Sequence, residues 1–281
     1  MKVKHDHPRD PIRAFLAGSL LLLVSVVCSA FAQTAGDLKG GVESVKSATT
    51  QAVLVELFTS EGCSSCPPAD RVLTNLDQNQ PVRGVQVIAL SEHVDYWNRL
   101  GWKDPFSSAQ FSQRQAQYAQ ALGAGNFYTP QMIVDGRIEF VGSKLPTALD
   151  AIAKAARVPK ANVSLAVKTL TPNSFVLTVQ VENLPGISRG DKADVMLAIT
   201  ESGLMSRVAR GENSGRDLAH SSVTRKLIKI GDIEGSAFSA QPSIRLESFW
   251  KRPQLKAVVF VQERSSRRVL GAAELRVSPS D

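Results

Sequence analysis

Two cysteines separated by two residues constrain the fold of this 281-residue chain more than any other feature. Cys63 and Cys66 flank the pair Ser64-Ser65, follow the apolar run 52–58 and precede a segment with helical periodicity. At this spacing the two sulfurs can form a disulfide with little backbone movement, and a helix N-terminus stabilises a thiolate. The pattern therefore predicts a buried strand, a turn that carries a dithiol centre, and a helix.

The N-terminus has the composition of an export signal. Basic residues precede the apolar run 15–27, and Ala30-Phe31-Ala32 fits a cleavage site, so we interpret residues 1–32 as a signal peptide. The run is shorter than the roughly 20 residues that a transmembrane helix needs. An uncleaved membrane anchor and a lipid-modified Cys28 are the open alternatives. We expect an exported protein, periplasmic or secreted, with no membrane span after signal cleavage.

The charge of the chain argues against a nucleic-acid partner. Removal of residues 1–32 takes away four basic and two acidic residues, which lowers the formal net charge from +7 to +5. The remaining basic residues are scattered and do not alternate with aromatic residues along a stripe, as they do in nucleic-acid-binding surfaces. The same cleavage removes Cys28, so Cys63 and Cys66 are the only cysteines left.

Hydropathy patterns divide the mature chain into a linker and two domains. Residues 33–50 are rich in small and polar residues and predict a linker. Residues 51–158 predict the order strand, helix, strand, helix, hairpin, helix, with Asp104 capping the second helix and the hairpin turning at Asp135-Gly136. Residues 160–281 contain short runs with apolar residues at period two, which are typical of an immunoglobulin-like β-sandwich.

The order of elements in residues 51–158 resembles the thioredoxin superfamily. The strand with Glu56 resembles that superfamily's central strand with its buried acid, Cys63 and Cys66 match its redox motif, and Thr129-Pro130 matches its cis-proline loop. More closely, the chain resembles an uncharacterised family of secreted thioredoxin-fold proteins with a second β domain. The resemblance implies an α/β thioredoxin-like domain followed by an all-β sandwich domain. No tryptophan precedes Cys63, so thioredoxin's redox potential and partner docking do not carry over.

The cysteine pair predicts thiol–disulfide exchange. Exchange needs a nucleophilic thiolate and a second sulfur that resolves the mixed disulfide. By position, Cys63 at an exposed helix start is the nucleophile and Cys66 is the resolving residue. We expect an exported protein as substrate, a separate redox partner and no cofactor. A non-catalytic binding or assembly module with a structural disulfide is the alternative, and a metal site lacks ligands because only His93 and His220 remain as histidines in the mature chain.

Further residues are candidates for the same site. Burial in an apolar strand raises the pKa of a carboxyl, so Glu56 is a candidate proton acceptor for Cys66, with a hydrogen-bonded strand-end carboxylate as the alternative. A cis Pro130 would place the backbone of Thr129 where a substrate strand can pair with it, whereas a trans proline would simply begin a strand. His93 follows the second strand at the carboxyl edge of the sheet and is assigned to substrate binding, with a surface histidine as the alternative.

Two loop segments have open interpretations. Residues 211–220 are too polar and glycine-rich for a strand, and predict either a functional loop that packs on the first domain or receives a partner, or a solvent loop. The aromatic residues of segment 96–106 either line a docking surface or pack a lid-like loop.

Overall fold

The computed structural model describes residues 50–233 and 235–277, except for the side chains of residues 169 and 170. The predicted signal peptide, residues 1–32, and all of the predicted linker except Thr50 lie outside the described residues. None of the helices within the described ranges is long and apolar enough to cross a membrane.

Strands greatly outnumber helices in the described ranges. In chain order the elements are β1 (Gln51–Thr59), α1 (Pro67–Asn79), β2 (Val85–His93), α2 (Ala109–Leu122), β3 (Gln131–Val134), β4 (Ile138–Val141), α3 (Leu145–Ala155), β5 (Asn162–Thr171), β6 (Ser174–Glu182), β7 (Ala193–Glu201), β8 (Leu204–Arg207), β9 (Asp217–His220), β10 (Val223–Ile233), β11 (Phe238–Ala240), β12 (Ser243–Arg245), β13 (Leu255–Glu263) and β14 (Val269–Arg276).

An eight-stranded mixed sheet runs through the molecule in the order β14-β13-β7-β10-β2-β1-β3-β4. Strands β1 and β2 are parallel, and β3 is antiparallel to β1. The two halves of the sheet join where β10 runs parallel to β2, with Val223 opposite Ser91. At this junction the amide of Ser91 donates a 2.8 Å hydrogen bond to the carbonyl of Ser222. Strands from both sides of residue 159 therefore share one sheet.

Strand β1 is buried on both faces of the sheet. Successive side chains of a strand point to opposite faces, so Val55 and Leu57 pack with the apolar residues of α1 and α3. Leu54 points to the other face, where it packs with Phe111 of α2 and with Phe260 of β13. This double burial explains the nearly continuous apolar run in the sequence.

A second, four-stranded sheet covers the β7, β13 and β14 region of the large sheet. It consists of β5, β6, β11 and β12. Leu177 and Val179 of β6 pack there against Leu197 of β7 and Val259 of β13 in one core. Buried residues alternate with partly or fully exposed residues along β6, which matches this single covered face.

The predicted fold class is wrong. The prediction was an α/β thioredoxin-like domain followed by a separate immunoglobulin-like sandwich, but the protein is mostly β and has a large mixed eight-stranded sheet. The predicted order of elements between β1 and α3 is present, and the later period-two runs do form strands. However, periodicity identifies a strand without identifying its neighbour, and β7, β10, β13 and β14 extend the first sheet.

Candidate functional site

The cysteine pair lies in the turn between β1 and α1. Cys63 and Cys66 form a disulfide, with their Cα atoms 5.4 Å apart, which confirms the predicted disulfide pairing. Helix α1 begins at Pro67, so Cys66 is its N-cap residue and Cys63 lies before the helix. Both cysteines have no exposed surface, whereas Ser64 and Ser65 are exposed. The prediction that Cys63 is exposed at the helix start is therefore wrong.

The inter-cysteine serines contact both the cystine and a distant loop. The hydroxyl of Ser65 lies 3.4 Å from the sulfur of Cys63, and it donates because a disulfide sulfur carries no proton. The amide of Ser64 donates a 2.9 Å hydrogen bond to the carboxylate of Glu212. Ser65 thus contacts the cystine itself, and Ser64 connects the cystine turn to the loop that contains Glu212.

Residues 211–216 form a strap over the cystine turn. The side-chain amide of Asn213 donates to the carbonyls of Glu61 and Cys63, each at 2.9 Å. Asn213 is fully buried, and its own side-chain oxygen accepts a 3.0 Å hydrogen bond from Arg216. Of the two interpretations of this segment, the structure supports packing against the first part of the chain. The strap is therefore hydrogen-bonded to the backbone of the turn that carries Cys63.

The peptide bond between Thr129 and Pro130 is cis, as predicted. Gln131, the next residue, pairs with Phe58 near the end of β1, so this bond lies at the sheet edge where the cystine turn begins. The indole of Trp97 donates a 2.8 Å hydrogen bond to the hydroxyl of Thr129. Trp97 also packs against Gly62: a Cβ atom added at Gly62 would lie 3.2 Å from the Cβ atom of Trp97. The cis bond and the cystine turn are therefore linked through one aromatic side chain.

A buried ion pair lies beside the cystine turn. His93 and Asp104 contact each other at 2.7 Å, and both are almost completely buried. Asp104 also accepts the amide of Glu61 at 2.8 Å. Burial alone would raise the pKa of Asp104, but His93 and the hydrogen bonds lower it overall. Burial alone would lower the pKa of His93, but Asp104 raises it overall.

These contacts change two predictions. Asp104 does not cap the second helix as predicted, because α2 begins at Ala109 and its N-cap residue is Ser108. His93 lies at the predicted sheet edge, but the structure leaves it no exposed surface for direct contact with a substrate.

A second histidine–carboxylate pair adjoins the first. His220 of β9 contacts Glu61 at 3.0 Å, and the indole of Trp102 donates to the other carboxylate oxygen at 2.7 Å. The rings of His93 and His220 have centroids 5.0 Å apart, and Phe106 packs edge-on against both. Among the described residues, Nε2 of His93 and Nδ1 of His220 have no hydrogen-bond partner. Trp102 and Phe106 thus pack around this cluster.

Asp70 is a site residue that the sequence analysis missed. It lies four residues after Cys66, on the same side of α1, and its carboxylate accepts a 2.8 Å hydrogen bond from Thr59. Burial raises the pKa of Asp70, while His220 and His93 oppose that rise. The sequence feature that could have identified Asp70 is its position four residues after Cys66, at the start of a predicted helix.

Glu56 does not lie on the cystine side of the sheet. Thr59 faces Asp70 of α1, and Glu56, three residues earlier, points to the opposite face because side chains alternate along a strand. There its carboxylate accepts a 2.6 Å hydrogen bond from Arg114 and a second hydrogen bond from Tyr118. The structure therefore does not bring Glu56 to Cys66.

Within the described ranges, no group of three or more histidine, cysteine or acidic side chains is placed to hold a metal ion. The titratable groups near the cystine are instead arranged as two histidine–carboxylate pairs and one aspartate, Asp70, that faces them.

Comparisons with known proteins identify a family and a shared architecture. The family described as "Protein of unknown function (DUF1223)" matches residues 54–262. A structural-genomics crystal structure from Agrobacterium tumefaciens is 29% identical with a TM-score of 0.61, and the match covers 82% of this chain and 96% of that one. HBP35 of Porphyromonas gingivalis is 14% identical with a TM-score of 0.62 over 83% and 77% of the two chains, which shows a similar fold alone. No curated protein matches the chain in sequence.

Proposed function

The chain belongs to the DUF1223 family, and we propose that it is a thiol–disulfide oxidoreductase that exchanges disulfides with proteins. One observation carries the proposal: a closed CxxC cystine lies directly before a helix and beside a buried titratable carboxyl, Asp70. The cystine and the nearby cis bond at Pro130 also support the resemblance to the thioredoxin superfamily at the level of the site. We further propose that the substrate is an exported protein, in line with the expected signal peptide.

The proposed reaction begins at Cys63. In the reducing direction its thiolate attacks one sulfur of a substrate disulfide, forms a mixed disulfide and expels the other substrate sulfur as a thiolate. Cys66 then loses its proton, and its thiolate attacks the sulfur of Cys63. This step closes the cystine and releases the second substrate thiolate. Two electrons pass from the dithiol to the substrate, and a partner dithiol restores them. The oxidising direction is the reverse.

Asp70, rather than Glu56, is the proton acceptor for Cys66 in this proposal. It is one helical turn from Cys66, and burial raises its pKa from the usual acidic range. A raised pKa makes a carboxylate a better base for a thiol proton. Glu56 on the other face of the sheet is engaged by Arg114.

The strap must move before exchange, because a nucleophile needs access to the sulfur of Cys63. Asn213 and Glu212 of the strap are hydrogen-bonded to the backbone of the cystine turn. These contacts are few and polar, so they can open without exposing a large apolar surface. We therefore place a strap-opening step ahead of chemistry.

A second candidate function has its own supporting observation. Complete burial of both cysteines also fits a binding or assembly module with a static disulfide. A disulfide between residues three apart closes a very short loop and stabilises little by chain entropy, which favours exchange chemistry over this candidate.

The reduction potential of the cystine separates the two candidates. We expect a value between about −120 and −270 mV for the chain from residue 33 onwards, equilibrated with glutathione and quantified by alkylation. A cystine that stays closed well below about −300 mV would support the static module instead. In a separate trapping experiment in cells that export the protein, Cys66→Ser should accumulate a mixed disulfide at Cys63 with exported proteins, and Cys63→Ser is the matched control that should accumulate none.

A further inference from the structure

An exposed aromatic ring lies among basic side chains where β10 and β12 meet the segment 246–252. Phe249 is 69% exposed, more than any other large apolar residue in the described ranges. The next residue, Trp250, is buried in the core between the two sheets. We call this surface the Phe249 patch; its basic members are Arg225, Lys226, Arg245, Lys251 and Arg252. None of them takes part in the proposed exchange reaction.

The two basic residues of β10 both reach the segment that carries the ring. Arg225 and Lys226 are neighbours on the strand, but the pairing of β10 with β7 shifts register between them and the residues before them. A bulge of this kind redirects side chains. Lys226 donates a 3.1 Å hydrogen bond to the carbonyl of Arg245, and the guanidinium carbon of Arg225 lies 5.7 Å from the ring centroid of Phe249. Basic residues that are far apart in sequence thus meet at one surface.

Arg225 holds the exposed ring in place. Its guanidinium carbon lies 5.3, 5.7 and 5.8 Å from the ring centroids of Phe106, Phe249 and Trp250. Phe249 also meets Trp250 edge-on, with the ring centroids 6.4 Å apart. Cation–π and aromatic contacts of this kind favour one arrangement of the rings. Phe249 is therefore ordered before any partner binds, which lowers the entropic cost of binding.

The charges of the patch are not balanced within the described ranges. Arg225 pairs with Glu201 at 3.5 Å. The other four basic residues form no ion pair there; Lys226, Lys251 and Arg252 donate instead to backbone carbonyls, which leaves their charges in place. The only carboxylate in the segment 245–252 is the exposed Glu247. A formal excess of three positive charges therefore surrounds Phe249.

We propose that the Phe249 patch docks onto the surface of an anionic phospholipid membrane. Clusters of basic residues are attracted to anionic headgroups, and an apolar side chain that enters the boundary between headgroups and acyl chains adds a second signal. A soluble anion would pair with the basic residues but would leave the ring of Phe249 in water. The patch is separate from the cystine, and the inference does not rest on the proposed exchange activity.

Sedimentation with lipid vesicles tests the proposal. The chain from residue 33 onwards retains every described helix and strand and lacks the apolar run 15–27, which could itself enter a bilayer. At physiological ionic strength it should bind vesicles of equal parts phosphatidylglycerol and phosphatidylcholine about a hundredfold more tightly than vesicles of phosphatidylcholine alone, at about fivefold for each excess charge. Equal binding to the two kinds of vesicle, or no binding to the charged vesicles, would overturn the proposal.

Two sets of variants assign the binding to this patch. Arg245→Gln combined with Lys251→Gln should weaken binding to the charged vesicles about 25-fold. Arg157→Gln combined with Arg189→Gln removes two exposed charges outside the patch and should bind like the wild type. Wild-type binding in the first pair, or an equal loss in the second, would contradict docking through the patch.

Substitutions of Phe249 separate a membrane from a soluble polyanion. Phe249→Ala should weaken binding to the charged vesicles about tenfold, whereas Phe249→Leu, which keeps an apolar side chain, should stay within about threefold of the wild type. Unchanged binding in Phe249→Ala would overturn insertion of the ring. A single-stranded oligonucleotide that displaces the protein from the vesicles and itself binds Phe249→Ala more weakly would assign the patch to nucleic acid and overturn the proposal.

Discussion

Several ionisable side chains near the cystine are buried. His93 with Asp104, and His220 with Glu61, are two pairs with almost no exposure. Buried pairs contribute little net stability, since burial of their charges costs about as much as their attraction returns. Stability alone therefore does not account for two such pairs around one cystine.

Asp70→Asn tests the proposed role of Asp70 as the proton acceptor for Cys66. We expect the second step of exchange, closure of the cystine from the mixed disulfide, to slow by about 100-fold, the lower range for removal of a general base. The wild-type rate should be full above the raised pKa of Asp70 and fall as the pH drops through it, because only the carboxylate accepts a proton. Stopped-flow measurement of closure against pH should show this inflection in the wild type and not in the variant.

Burial is the main cause of the raised pKa of Asp70, and the charged groups that face it, His220, His93 and Asp104, modify that shift. Asp150→Asn, an exposed change of the same kind on α3, is the control and should leave the profile unchanged. An unaltered profile in Asp70→Asn would remove Asp70 from the mechanism without bearing on exchange itself.

The site was only partly predictable from single residues. The cysteine pair follows from a local motif, whereas the cis bond at Pro130 was expected from the resemblance to the thioredoxin superfamily. The positions of Glu56 and Asp70 relative to the cystine were not predictable in this way. Side chains of β1 alternate between the two faces of the sheet, and the sequence does not tell which alternate set faces α1. The set that faces α1 became visible only through the contact between Thr59 and Asp70.

Among the elements, the strap between β8 and β9 has the most direct bearing on reactivity. Asn213 makes two hydrogen bonds to the cystine turn across about 150 residues of sequence. Glycine content and polarity indicated a loop here, but a contact over such a separation leaves no local signal. The strap was therefore predictable as a loop but not as the cover of Cys63.

Asn213→Ala tests the strap as a gate. Loss of two hydrogen bonds, each worth about 1 kcal/mol, should ease opening by about 2 kcal/mol and accelerate reduction of the cystine by dithiothreitol about thirtyfold. Ser214→Ala changes an exposed residue of the same strap and should leave the rate near that of the wild type. If Asn213→Ala is reduced at the wild-type rate, the strap does not limit access to Cys63.

At the scale of the whole molecule, one sheet joins the part of the chain that carries the cystine, residues 51–158 (the cystine half), to strands β7, β10, β13 and β14 (the later strands). Period-two patterns correctly indicated strands after residue 160, but the pairing of Val223 with Ser91 has no counterpart in local sequence. The shared core is more informative still, since Phe260 of β13 packs with Leu54 of β1 and Ile88 of β2. The cystine half and the later strands should therefore unfold together.

Phe260→Ala tests this coupling. Phe260 is fully buried, so its truncation should lower the free energy of unfolding by about 3–5 kcal/mol. Because the sheet is shared, hydrogen exchange should accelerate equally in β1 and β13, and denaturant should still give one transition. Phe249→Ala, at a residue that is 69% exposed, should change stability by no more than about 0.5 kcal/mol. Faster exchange in β13 with unchanged exchange in β1 would instead show that the two halves unfold independently.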